Sequence, residues 1–233
     1  MKFSSLNWME IEKYLKTDDR CIFPIGSTEQ HAYLSLSTDS ILAEKISLDA
    51  AEPLNIPVLP VLNFGYTPAF MDYPGTISLS AETLRLVIKD VLDSLIYHGF
   101  RKILIVNGHG GNSFVADFIS AWSKDKPDVR IKFHNWWNSA ETIAKVKSID
   151  TVASHASWME NFKWTRLTDS GQPDMKKPMT DQALIKDQSP KEIRKILGDG
   201  NYGGFYRRND NEMTEIWNIA VLETRQLLNN NWE

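Results

Sequence analysis

The chain alternates between two kinds of hydrophobic pattern, and this constrains its fold more than any other feature. Short apolar runs occur at residues 21–25 (Cys-Ile-Phe-Pro-Ile), 56–62 (Ile-Pro-Val-Leu-Pro-Val-Leu), 102–106 (Lys-Ile-Leu-Ile-Val) and 129–134. Between them lie segments whose apolar residues recur with helical spacing. Residues 39–52 carry Ile41, Leu42, Ile46 and Leu48 among charges. Residues 80–97 place Leu84, Val87, Ile88, Val91, Leu92 and Leu95 on one face, with Ser80 as N-cap and Gly99 as terminator. Helices are also expected at Ser113–Trp122, at 212–230, and at the start of the chain, where Trp8, Ile11 and Leu15 share a face. The pattern predicts a three-layer α/β/α sandwich with a largely parallel sheet. Ligand sites in such sheets form at the carboxyl ends of the strands. Chemistry is therefore sought just after residues 25, 62, 106 and 134. Thr168–Lys191 reads as a polar surface excursion and Gly198–Asn211 as a loop.

The length of 233 residues fits one domain spanning 1–233. A net charge of −4 without a dense Lys/Arg cluster argues against nucleic acid as the main partner. No apolar run is long enough to span a bilayer, and the first residues lack the apolar core of a signal peptide, so a cytoplasmic protein is expected. The single cysteine, Cys21, excludes an intrachain disulfide and a Cys-based zinc site. Its place in an apolar run makes it a buried strand residue rather than a nucleophile.

Three segments carry chemistry. After the first run comes Gly26-Ser27-Thr28-Glu29-Gln30-His31, leading to Thr38-Asp39. In an extended segment Glu29 and His31 point to the same side, which suits a divalent metal such as Zn²⁺ or Mn²⁺. Thr38 or Asp39 can equally cap the next helix. After the third run comes Asn107-Gly108-His109-Gly110-Gly111-Asn112. Its glycines permit unusual backbone angles and close approach to a ligand. His109 as a metal ligand is favoured over a phosphate nest, since neither a P-loop nor a dinucleotide fingerprint is present. The third segment is His155-Ala156-Ser157-Trp158-Met159-Glu160. Its spacing suggests a helix starting between His155 and Glu160, and by chemistry alone a surface His with a solvated Glu is the better reading. His98, at a helix C-terminus, and His134, at a strand end, read as structural. Trp136 and Trp137 follow the last strand and are divided evenly between pocket wall and core.

Together, and in this order, these segments resemble the creatininase (creatinine amidohydrolase) family. The matching residues are Gly26-Ser27-Thr28-Glu29-Gln30-His31 with Leu34, Leu36, Thr38 and Asp39; Pro74-Gly75-Thr76-Ile77-Ser78; the intact 107–112 motif; and His155, Ala156 and Glu160. The resemblance implies a binuclear metal hydrolase, often hexameric, on an α/β/α sandwich. It implies that Glu29 and His109 hold one metal, His31 the other, and that Asp39 bridges them. His155 becomes the proton-transfer residue. In creatininase proper a glutamate stands where this chain has Gly111. A branch with formamide-cleaving deformylases and a peptidase shares the glycine, and there Glu160 replaces that ligand. Three departures stand out: the 32–37 segment is one residue short and lacks a histidine and the Gly-Pro, Ser157 replaces a glycine, and Asn161-Phe162 replaces Thr-Ser. The implied activity is hydrolysis of a C–N bond in a small amide, formamide or cyclic amide, with two divalent ions (zinc or manganese, with iron a further candidate). Gly110, Gly111, Trp136 and Trp137 are expected at the small-molecule substrate, and a homo-oligomer is expected. The shortened 32–37 segment keeps a non-catalytic paralogue with a degraded metal site as the alternative.

Overall fold

Three strands, β1 (Arg20–Ile25), β2 (Lys102–Asn107) and β3 (Arg130–Asn135), form a parallel sheet in that spatial order. The register pairs Ile22 with Leu104 and Ile105 with Phe133. The structure is a computed structural model and describes residues 1–168, 171–230 and 232. Two residues of the expected 168–191 excursion, 169 and 170, lie outside the described residues, as do 231 and 233 of the expected single domain.

Side chains alternate across a strand, so each strand feeds two cores. Ile22, Leu104 and Val106 pack with α2 (Thr38–Ala51), α5 (Ala140–Ile149) and α7 (Asp210–Asn229) on one face. Cys21, Phe23, Ile25, Ile103 and Ile105 pack with α1 (Trp8–Tyr14), α3 (Ala81–His98) and α4 (Val115–Trp122) on the other. The result is the expected helix–sheet–helix layering. Burying each aliphatic side chain of these clusters contributes roughly 1.5–3 kcal/mol. Helix α3 begins and ends as its sequence requires: Ser80 Oγ accepts from Thr83 N at 3.1 Å, and Gly99 takes a left-handed φ of 107°.

The 56–62 run does not make a regular strand. It lies beside β1 and makes isolated parallel bridges only, Ile22 to Val58 and Ile25 to Leu62. Ile22 N donates to Pro57 O, and Leu62 N to Pro24 O. Between these bonds Pro24 and Pro60 both lack an N–H, so the ladder breaks there.

Two helices were not anticipated. The first turn of α5 has no local side-chain cap. Glu223 on α7 accepts instead from Glu141 N and Thr142 N, each at 2.8 Å, so its cap is tertiary. Helix α6 (Pro190–Leu197) overlaps the end of the expected excursion. Its signal is local: Ser189 Oγ accepts from Glu192 N, and Pro190 stands at the first helical position. Ile193 and Leu197 of α6 pack with Phe70 and Tyr73 in a small satellite core.

Candidate metal centre

The carboxyl ends of β1 and β2 open onto one pocket. Gly26 ends β1 against the start of α2; a Cβ there would lie 2.5 Å from Ser40 Cα. The chain then crosses the mouth of the sheet, pinned by Glu29 N to Leu36 O and by Ile77 N to Thr28 O, both at 2.9 Å. Despite the shortened 32–37 segment, Asp39 arrives in the first turn of α2. Neither Thr38 nor Asp39 is the cap: the N-cap is Ser37, without a side-chain bond, while Thr38 Oγ1 donates to Ser35 O. That frees the buried Asp39 carboxylate for the pocket.

The 107–112 loop is stapled by its two asparagines. Asn107 donates to His109 O and accepts from His109 N. Asn112 donates to Gly26 O and accepts from Tyr66 N. None of Gly108, Gly110 and Gly111 has positive φ, so unusual backbone angles are not the reason for the glycines. Space is the reason at two of them. A Cβ on Gly108 would lie 2.1 Å from Asp39 O, and one on Gly111 2.1 Å from Tyr66 O and 2.4 Å from His109 Nε2. Gly110 meets nothing within 4 Å.

The third segment is not a surface feature. A short 3-10 helix, Trp158–Glu160, starts between His155 and Glu160 and turns both side chains inward. Ala156 sits between them at a left-handed φ of 58°, and its N–H donates to Glu160 Oε2 at 2.6 Å.

Six side chains converge. Asp39 Oδ1 lies 3.0 Å from His31 Nε2, and Asp39 Oδ2 lies 3.0 Å from His109 Nδ1. Glu29 Oε1 is 3.3 Å from His109 Nδ1, and Glu160 Oε2 is 3.8 Å from His31 Nε2. His155 Nδ1 is 3.6 Å from Glu29 Oε1. Two groups share Asp39: Glu29, Asp39 and His109, and His31, Asp39 and Glu160. A third joins Glu29, His31 and His155.

The donor set fits divalent cations. Among the described residues, Glu29 Oε2, His31 Nε2 and Asp39 Oδ2 are buried without a hydrogen-bond partner, although charged groups stand close by. Each of the three residues belongs to two of the three groups, and cations held among those groups would satisfy these atoms. His31 Nδ1 meets Glu29 O at 3.2 Å and His109 Nε2 meets Tyr66 O at 3.0 Å. With an N–H donated to a carbonyl on that side, each ring turns a lone pair toward the carboxylates, as metal-bound histidines do.

Protons compete with a cation for these ring nitrogens, because the same carboxylates stabilise either. Burial disfavours a charged His31, but the Asp39 carboxylate outweighs it and lifts the imidazole to about 10. Burial likewise opposes charge on His109, and Glu29 and Asp39 hold it well above its ordinary value. Asp39 is held well below the carboxylate range: burial opposes this, and His31 and His109 outweigh it. Burial pushes Glu160 up to about 7. Burial and then the neighbouring His31 charge push His155 down to about 4. Three carboxylates in one buried pocket call for more positive charge than their histidines supply when neutral.

The pocket is a cavity of about 400 Å³ lined by Glu29, Asp39, His109, His155 and Glu160 on the polar side. Phe70, Trp137, Ile143, Met159 and Tyr202 form its apolar walls, and Gly110 and Gly111 reach it too. Trp136 does not: it is buried against Phe162 and Trp217 in the core, because the turn after β3 sends successive side chains in different directions. His134 is buried against Thr224 Oγ1, and Cys21 is a buried strand residue. Phe70 and Tyr202 were not anticipated. The cluster Gly200, Gly203 and Gly204, all at positive φ, was the signal available for the Tyr202 loop.

The creatininase family model, described as creatinine amidohydrolase, matches residues 4–228. Creatinine amidohydrolase of Pseudomonas putida is 27% identical over 158 residues, 62% of this chain and 60% of that protein. The 3-dehydro-scyllo-inosose hydrolase of Thermotoga maritima is 27% identical over 166 residues, 68% of this chain and 53% of that protein. The matched region thus spans less than two thirds of either relative. A crystal structure of creatinine amidohydrolase (creatininase) shares the fold, with a TM-score of 0.85 at 19% identity, covering 99% of this chain and 97% of that one. Creatininases of the same fold include one described as of Zn–Zn type and one as the Mn form, with TM-scores of 0.83 and 0.84. With the family model covering residues 4–228, this chain belongs to the creatininase family.

Proposed function

We propose that the chain is a metal-dependent hydrolase of a C–N bond in a small amide, formamide or cyclic amide. The observation that carries the reading is Asp39, whose two carboxylate oxygens each lie 3.0 Å from a different buried imidazole. Glu29, Asp39 and His109 would hold one divalent ion, and His31, Asp39 and Glu160 the second; zinc and manganese suit this mixture of nitrogen and oxygen donors. When bound, such ions polarise a carbonyl oxygen and lower the pKa of water toward neutrality. His155 faces the same space and serves the leaving nitrogen. The walls of Phe70, Trp137, Met159 and Tyr202 suit a small molecule.

The degraded-site alternative loses its motive, since the shortened 32–37 segment still delivers Asp39 to both groups. A phosphate nest is disfavoured by three carboxylates in the same cavity. A homo-oligomer is part of the same reading, which light scattering would test directly. The central test is elemental analysis after incubation with Zn²⁺ or Mn²⁺, followed by an amide and formamide screen. One to two ions per chain and turnover of an amide are expected. No bound metal under either condition sinks the reading.

A further inference from the structure

The three histidines of the pocket are not held alike. His31 and His109 each turn one ring nitrogen to a backbone carbonyl, Glu29 O and Tyr66 O. His155 turns Nε2 to the side-chain amide nitrogen of Gln30, at 2.8 Å. A carbonyl calls for an N–H on the ring, whereas an amide NH₂ calls for a lone pair.

Which end of the Gln30 amide faces His155 is set by its other neighbours. Gln30 Oε1 accepts from Ala32 N at 3.1 Å, and Gln30 Nε2 donates to Gly200 O at 3.2 Å. Turning the amide over would set its NH₂ against the Ala32 N–H and its oxygen against the Gly200 carbonyl. Gly200 closes the clamp: it has a φ of +99°, and a Cβ there would lie 1.7 Å from Gln30 Oε1. Among the described residues, the one competitor for His155 Nε2 is the Gln30 backbone carbonyl at 3.1 Å. A bond to it would need an Nε2–H, which would crowd the NH₂ only 2.8 Å from the same nitrogen.

We propose that Gln30 is a positioning residue that holds neutral His155 with its proton on Nδ1, facing the pocket. In that form Nδ1 has no lone pair for a metal. The group Glu29, His31 and His155 is therefore not an ion site, and the two groups that share Asp39 are. Resting on the hydrolase reading, His155 then serves the leaving nitrogen as a hydrogen-bond donor toward the negative charge developing there, and not as a base. The tautomer itself does not depend on that reading.

The test is long-range ¹H–¹⁵N correlation NMR on the metal-free, ¹⁵N-labelled protein, with His155 assigned by its loss in His155→Ala. A protonated Nδ1 and an unprotonated Nε2 are expected. Gln30→Glu places an acceptor at Nε2 and should move the proton there. Gln30→Met, which keeps the shape without the amide, should leave a mixture of both forms. In metal-loaded protein with a turned-over amide, Gln30→Glu should lower kcat about 10²-fold, as loss of a positioned donor does, with KM unchanged. An Nε2–H in the wild type, or a tautomer unmoved in both Gln30 variants, overturns the clamp. Absence of turnover with the expected spectra would instead count against the hydrolase reading alone.

Discussion

Glu160 Oε2 stands 3.8 Å from Nε2 of His31, a residue far earlier in the chain, and completes the group of His31, Asp39 and Glu160. The carboxylate is steered there by the Ala156 N–H, whose left-handed conformation aims it at Glu160 Oε2. Without Glu160, the second group retains only His31 and Asp39, fewer than the three protein ligands usual for a tight site. Glu160→Gln should therefore weaken one metal and leave the one at Glu29, Asp39 and His109 largely in place. Titration of both sites in wild type and variant checks this, and identical affinities would refute it.

Gly111→Glu should not create a replacement ligand. Its Cβ would lie 2.1 Å from Tyr66 O and 2.4 Å from His109 Nε2. Overpacking of this kind costs about 1–3 kcal/mol. We expect a lower melting temperature and reduced metal content, read by calorimetry and elemental analysis. A variant as stable as wild type with metal retained would contradict the packing argument.

His155→Ala should keep its metals while turnover falls about 10²-fold or more. The expected signature is full metal occupancy with kcat lost. Unchanged turnover would remove His155 from the reaction.

His134 sets an acid limit on stability that is independent of the metal pocket. Burial, partly opposed by Glu223, pushes its pKa down to about 4, below the ordinary value near 6.5. The unfolded chain therefore takes up this proton first. The stability held above the unfolded pKa is lost as pH falls toward the folded one. Between pH 7 and pH 5 this amounts to about 2 kcal/mol for one such group. Denaturant unfolding of His134→Gln at both pH values should show a shallower loss than wild type; parallel losses would show that His134 does not titrate on unfolding.

Ala156→Gly relieves an alanine held at φ 58°. A left-handed alanine costs about 1–2 kcal/mol, partly offset by the greater freedom of glycine in the unfolded chain. The variant should be as stable as wild type or more so by up to about 1 kcal/mol in urea unfolding. A clear loss would show that the Ala156 methyl packs in a way that outweighs the strain.

The sequence by itself determined the layering, because layering rests on local periodicity. Cys21–Ile25 and Ile103–Val106 alternate between two cores, and Ser80 and Gly99 bound α3 through contacts within a few residues. It also marked Glu29, His31, Asp39, His109, His155 and Glu160, since polar residues directly after buried strands, or set in a family motif, stand out against the apolar background. Only the tertiary structure decided what long-range packing controls. Pro24 and Pro60, on neighbouring segments, both lack an N–H between the two bridges and leave the 56–62 run as isolated bridges. Glu223 caps α5 from another helix. Trp136 goes to the core and Trp137 to the pocket, although the two are adjacent in sequence. Gly108 and Gly111 are required by Asp39 O and Tyr66 O, atoms of distant segments, and not by their own backbone angles. The two oxygens of Asp39 find two imidazoles because three loops close on one point, and no local pattern encodes a distance between loops.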